Sequence, residues 1–589
     1  MNTTERVEAL RQWMRTQGLG AYLIPTADPH NDEYIPAHWM CREWISGFTG
    51  SAGLAVVTQK EAALWTDSRY WLQAAAQLDG TPYALMREGE EGVPAPMEWL
   101  RGALPAGEKA GCAAEMLTVR MAAEAAEMGI DLVPAADAFD DIWTERPALP
   151  AGLIEVQDAR YTGQTATEKL ARVREILRRE VTGRDYIFND LSDIAWMLNL
   201  RGSDVPYNPV FVAYLVYSAA ADRFTLLTHA DTLSAEARMQ LAEAGVGCAP
   251  YGSPLWLTGE NAKAIDFATA SCMLHDRTDD ADFASPVAGM RAVKNEAEIE
   301  GFRQAMQRDG VAMVQFLRWL DEEMKAGRRV TEVTADERLT ALRAAQPGYK
   351  ELSFATIAGY GPHGAIVHYE ADAASDVPLE PHGLLLLDSG AQYDCGTTDI
   401  TRTIALGKPT DEERRVYTLV LKGHLALSRT VFPIGTTGLQ LDLAARSAMW
   451  AAGYDFGHGT GHGVGSHLCV HEGPHQIRKN VRGCTLVPFK PGMVVTNEPG
   501  IYVEGRFGVR IENVLICADD RTTPFGRFCR FDTLTLCPYD RRAADRTMLT
   551  DEEVEQINIY HEKVRRELLP LLTDEADRRW LETATAPWV

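Results

Sequence analysis

The stretch LLLLDSGAQYDCGTTDITRTI, residues 384–404, decides how the C-terminal half of the chain folds. Its leucine run predicts a buried strand ending in Asp388, and DITRTI predicts the strand that returns beside it. Asp388 and Asp399 are equidistant from the Tyr393/Asp394 junction, inside the polar turn. In a simple antiparallel hairpin, residues so placed face each other with Cβ atoms about 4.5–5.5 Å apart. Two carboxylates at that distance repel unless a cation lies between them.

A second hairpin repeats the arrangement. In TNEPGIYVEGRFGVRIENVL, residues 496–515, Glu498 and Glu512 are equidistant from Gly505 within the turn signal EGRFG. One opposed acidic pair has an ordinary explanation, an irregular register with both groups in water. Two such pairs beside a third unusual segment do not. That segment is HGTGHGVGSHLCVHEGP, residues 458–474, with four histidines among closely spaced glycines. It lacks the GxxxxGK[ST] pattern and has no lysine for a phosphate, which excludes a nucleotide loop of that type. His458 and His462 have helical spacing, but alternating glycines disfavour a helix. Extended backbone presenting one metal-ligand histidine is the expectation.

Four carboxylates and one neutral imidazole carry a charge that two divalent ions would neutralise. Oxygen-rich ligation favours a hard or borderline ion such as manganese over an all-thiolate zinc site. Two ions about 3.5–4 Å apart can share a bridging hydroxide and polarise a substrate oxygen.

The rest of the chain sets the frame. With 589 residues it is too long for one core. Lys and Arg number 58 against 83 Asp and Glu, a formal charge of −25 that argues against a nucleic-acid surface. No run reaches the ~18 apolar residues of a membrane span, and the N-terminus lacks a signal-peptide core. Ten scattered cysteines without a CxxC pair predict a reduced, cytoplasmic protein.

VEALRQWMRTQG predicts a helix closed by Gly18, with AYLIP, GLAVVT and AALWT as strands after it. The Pro-punctuated stretch at 141–157 reads as a linker. The pattern restarts with TEKLARVREILRRE as a helix and RDYIFND as a strand, and again near Met290 with long helices. This predicts mixed α/β domains at about 1–150, 158–290 and 291–589, the first two able to share a fold. Thr550 and Glu553 predict a capped C-terminal helix.

In order and spacing, IVHY, LLLLDSGAQY, TTDITRT, HGTGHGVG, VHEGP, TNEPGIY and GVRIEN resemble the long, three-domain cytosolic Xaa-Pro aminopeptidases of the pita-bread metallopeptidase family. SGFTGSAGLAVVT, LWTDSRYWLQA and DIAWMLNLRGSDVPYNPVF extend the resemblance to the N-terminal half. The resemblance implies two creatinase-like α/β domains followed by a pita-bread catalytic domain with a C-terminal extension. It implies metal ligands at Asp388, Asp399, His462, Glu498 and Glu512, which include both acidic pairs. It places His368 and His471 on substrate and on the tetrahedral intermediate, Arg510 near the metals, and Arg69 of TDSRY on substrate.

The cofactor it implies is two divalent ions, manganese with cobalt or zinc as alternatives. The implied reaction removes the first residue from peptides with proline second, by attack of a metal-bridging hydroxide, with Glu498 moving the proton. No nucleic acid or membrane partner is implied, and a homodimer is. One departure is visible: DPHNDEY has Asp32 where a serine is usual.

Rival readings are a prolidase, which shares the ligands but takes dipeptides, and a creatinase-like hydrolase or binding-only module, both of which lack the ligand set. The N-terminal domains and the intact five residues favour the aminopeptidase.

Overall fold

The computed structural model describes residues 1–253, 261–275 and 277–588. The chain forms two compact units, Met1–Gln157 with Gln164–Val287, and Asp158–Gly163 with Ala288–Val589.

In the first unit, helix Thr3–Gln17 begins at a capping box on Asn2 and ends on Gly18 in the left-handed region. Strands Leu19–Pro25, Leu54–Thr58 and Ala62–Thr66 follow where the apolar runs predict them. They belong to a six-stranded sheet ordered Tyr83–Arg87, Ala62–Thr66, Leu54–Thr58, Leu19–Pro25, Lys109–Ala113, Leu132–Ala135. The restart after the linker builds a second six-stranded sheet. Its order is Gly247–Pro250, Arg223–Thr228, Tyr214–Ser218, Asp185–Phe188, Lys263–Ile265, Ala281–Asp282. Across each sheet the pairings run parallel, antiparallel, antiparallel, parallel, parallel. The two halves therefore repeat one topology.

The second unit is organised by helix Glu296–Lys325, capped by Asn295 and Glu298. Along this helix Phe302 and Met306 pack with Val464, Val494 and Val514. One or two turns on, Met313, Phe316 and Leu320 pack with Leu385, Leu387, Ile400 and Ile404. A single stiff element thus backs two different sheets. One sheet is three-stranded, with Leu384–Ser389 between Ile357–Tyr360 and Ile400–Ala405. The other is six-stranded and includes Gly461–Gly463, Val494–Asn497 and Asn513–Thr523. Each buried large side chain at these contacts stabilises by about 1.5–3 kcal/mol. The C-terminal helix Asp551–Leu568 carries the expected Thr550–Glu553 box and buries Val554, Ile557, Val564 and Leu568. Among the described residues no helix is long and apolar enough to cross a membrane.

Candidate metal centre

The second acidic hairpin has the register its spacing predicts. Asn497 pairs with Asn513, and Gly500 with Arg510. Glu498 and Glu512 are therefore opposite each other, with the turn centred on Gly505.

The first hairpin does not. Asp388 pairs with Thr401 and Tyr393 with Gly396, so the turn is Asp394–Cys395 and the register is offset by two residues. Asp399 is a diagonal neighbour of Asp388, on the same face of the ladder. The cause is a turn centred one residue later than the sequence midpoint. An offset of two preserves the face, so both acids still point the same way.

His462 lies on the short strand Gly461–Gly463, as extended backbone. The glycines beside it have a steric role. A Cβ at Gly461 would lie 1.9 Å from the Thr496 carbonyl oxygen, and one at Gly463 would lie 2.1 Å from the Glu472 carbonyl oxygen. This strand is sandwiched too closely between its neighbours for either side chain. The Gly/His pattern is therefore neither an anion cradle nor a loose loop; it is a close-packed strand presenting one imidazole.

His462 donates from Nδ1–H to the Gly463 carbonyl, 2.9 Å away, which makes Nδ1 the protonated nitrogen. Its Nε2 is 3.5 Å from Asp399 Oδ2 and 3.7 Å from Glu498 Oε1. Asp399, His462 and Glu512 each offer one atom within 4.8 Å of the others. Glu498 adjoins this group through His462, and Asp388 stands beside it, held by Arg510. Arg510 donates from Nε at 2.9 Å and Nη2 at 2.6 Å to Asp388 Oδ2. The other oxygen, Oδ1, is buried with no hydrogen-bond partner among the described residues.

The electrostatics favour a cation at this centre. Burial, followed by repulsion from Asp399, Asp388 and Glu498, drives the Glu512 carboxyl well above the ordinary range. Burial raises Glu498 to about 7; His462 and Arg510 pull it down, while Asp399 and Asp388 push it up. Asp388 is raised by burial and by Asp399 against the pull of Arg510. Burial alone would lower His462, but Asp399 and Glu498 outweigh it and hold the imidazole up to about 9. Buried carboxylates that cannot all ionise, together with an unpartnered Oδ1, fit cation binding.

His471 stands edge-on to His462, with ring centroids 4.4 Å apart. His368 follows the turn Gly361–Ala365, and the carbonyl of the preceding Val367 accepts from Arg510 Nη2 at 3.2 Å. Arg69 belongs to the first unit, where Nε and Nη2 bond both oxygens of Asp67 at 2.9 and 2.8 Å.

Sequence reasoning missed two residues here. Thr401 donates to Glu512 Oε2 at 2.7 Å and accepts from Arg510 Nε at 3.2 Å. The Tyr502 hydroxyl accepts from Arg510 Nη1 at 2.7 Å and lies 2.7 Å from His458 Nε2. Period-two alternation carried the signal: Tyr502 pairs with Gly508, two residues from Arg510, and Thr401 follows Asp399 by two.

Asp399, His462 and Glu512 converging beside Glu498 and Asp388 have the donor chemistry of a metallohydrolase class of centre. Residues 300–519 match metallopeptidase family M24, and 527–588 match the C-terminal region of that peptidase. Residues 6–142 and 145–298 each match a creatinase/prolidase N-terminal domain. Aminopeptidase P2 of Arabidopsis thaliana is 37% identical over 99% of this chain and 88% of its own length. A probable Xaa-Pro aminopeptidase P of Pyricularia oryzae is 39% identical, covering all of both chains. Among solved structures, the X-prolyl aminopeptidase of Caenorhabditis elegans superposes with a TM-score of 0.94 at 33% identity over the full length of both. That protein is described as a cytosolic enzyme with a di-nuclear active site. The chain belongs to the Xaa-Pro aminopeptidase P family of M24 metallopeptidases, with creatinase-type N-terminal domains ahead of a pita-bread catalytic domain.

Proposed function

We propose that the chain releases the N-terminal residue from peptides whose second residue is proline, using two divalent ions held by Asp388, Asp399, His462, Glu498 and Glu512. The observation that carries this reading is geometric: Asp399, His462 and Glu512 offer atoms within 4.8 Å of one another, Glu498 lies 3.7 Å from His462, and Asp388 Oδ1 is buried without a hydrogen-bond partner among the described residues. Such a cluster stores repulsion that bound cations relieve. When bound, the ions would make water nucleophilic at neutral pH and polarise the scissile carbonyl. Manganese is the proposed ion, since oxygen ligands dominate.

The chain's own groups supply the rest. Glu498 takes a proton and delivers it to the departing proline nitrogen. His368 and His471 steady charge on the carbonyl oxygen, and Arg510 fixes the carboxylate of Asp388 by its two-nitrogen grip. The substrate's free amine sits near a metal or Asp388, which limits cleavage to the first residue. Arg69 contacts substrate in this reading. Its bidentate pairing with Asp67 keeps the guanidinium oriented. The three domains at about 1–150, 158–290 and 291–589, a homodimer and a cytoplasmic location complete the proposal, the last supported by the Caenorhabditis elegans relative.

The test is metal stoichiometry. Chelated protein reloaded with manganese should bind two equivalents, and Asp399→Asn should bind fewer and lose activity. Unchanged stoichiometry and activity in that variant would remove Asp399 from the ligand set.

A further inference from the structure

We infer that Glu332 and Tyr369 are positioning residues for His368: a buried carboxylate ties down the turn that carries this histidine. The inference rests on the substrate role proposed for His368. Glu332 opens helix Glu332–Ala344 and is fully buried, where a lone carboxylate is costly unless its lone pairs are filled. Three donors fill them, and all come from residues 360–369. The Tyr360 backbone N–H bonds Oε1 at 2.7 Å. His363 Nδ1 lies 2.9 Å from Oε1 and 3.0 Å from Oε2. The Tyr369 hydroxyl donates to Oε2 at 2.8 Å. The helix N-terminus adds favourable potential for the negative charge.

These bonds close the turn on itself. Tyr360 enters it, His363 is its middle, and Tyr369 leaves it, so one side chain holds both ends. His368 is then fixed from both neighbours in sequence. Val367 is held through its carbonyl by Arg510 Nη2, and Tyr369 through its hydroxyl by Glu332. The Tyr369 ring also packs with Ile357 and Leu386. Leu386 sits two residues before Asp388, on the strand that pairs Ile357 with Asp388. The turn is thereby built onto the same strand as a proposed metal ligand. Displacing the His368 backbone strains one or both of these bonds, and small displacements of a positioned group are costly in rate.

Tyr369→Phe removes one hydroxyl and leaves the ring packing intact. On an Xaa-Pro-Xaa tripeptide with manganese-loaded protein, it should lower kcat about 10- to 100-fold. KM should change little and metal content should stay unchanged. Glu332→Gln should act in the same direction; if it does not fold, Tyr369→Phe carries the test alone. The discriminating readout is a double-mutant cycle. If Tyr369 acts through His368, adding Tyr369→Phe to His368→Ala should lower kcat no further. An unchanged kcat in Tyr369→Phe, beside a large loss in His368→Ala, overturns the positioning role alone. A Tyr369→Phe loss of equal size in both backgrounds also overturns it. Full turnover in His368→Ala would refute the substrate role of His368 and this inference with it.

Discussion

Asp388 shows at the scale of one residue why this centre calls for cations. One of its oxygens takes two hydrogen bonds from Arg510, while the other is buried without a partner among the described residues. An unmet acceptor in a protein interior costs about 1–3 kcal/mol, and a bound ion is the partner of matching chemistry. His368 and His471 differ from the five proposed ligands in what they should do when removed. Each Ala variant should keep its metal and lose turnover by about 10²–10³, the usual loss for one preorganised oxyanion donor. Elemental analysis beside a peptide assay checks this, and metal loss in a normally folded variant would make that histidine a ligand.

At the scale of elements, legibility depended on turns. The Glu498/Glu512 hairpin was readable because EGRFG marks its centre, and Gly505 has a φ of +69°. The Asp388/Asp399 hairpin was read with a midpoint one residue early, since QYDCGTT offers several turn residues and no single marker. The error displaced the register by two and left the face unchanged, which is why both acids were still found. Thr401, Tyr502 and Glu332 escaped because their roles depend on contacts between distant segments. Glu332 meets its partners about thirty residues away across a turn that no local pattern announces. The glycines around His462 were seen but their reason was not, because it lies in the neighbouring strands. Gly461→Ala tests that reason. Its Cβ would overlap a backbone carbonyl at 1.9 Å, so the strand must shift. Overpacking of this kind typically costs about 1–3 kcal/mol. Thermal unfolding should show a lower Tm, and the displaced His462 should weaken metal binding; an unchanged Tm and metal content would refute the steric account.

At the scale of the whole molecule, two copies of one sheet topology precede a catalytic unit whose stability should depend on pH and metal together. In the metal-free protein Glu498 is raised from 4.5 to about 7 and His462 from 6.5 to about 9. Between the ordinary and shifted values the folded chain holds protons that the unfolded chain has released, so rising pH removes stability. These two contributions are fully present below the ordinary values and are lost as pH rises through about 7 for Glu498 and about 9 for His462. Bound cations replace those protons and reverse the sign. The difference in Tm between manganese-loaded and stripped protein should therefore widen as pH rises through this window. A difference that stays constant or narrows would contradict the proposed coupling.

The central claim, removal of one residue ahead of proline from a free N-terminus, is tested most directly by product analysis on a short peptide series. With manganese-loaded protein, an Xaa-Pro-Xaa tripeptide should yield free Xaa and the Pro-Xaa dipeptide. The acetylated tripeptide should be nearly inert, because acetylation removes the free amine that meets a metal or Asp388. Xaa-Ala-Xaa should be cleaved distinctly more slowly, a loss of about 1–3 kcal/mol from the missing ring contacts. Efficient hydrolysis of an Xaa-Pro dipeptide with little action on the tripeptide would contradict the account in favour of a dipeptidase. Ready cleavage of the acetylated peptide would contradict any exopeptidase reading.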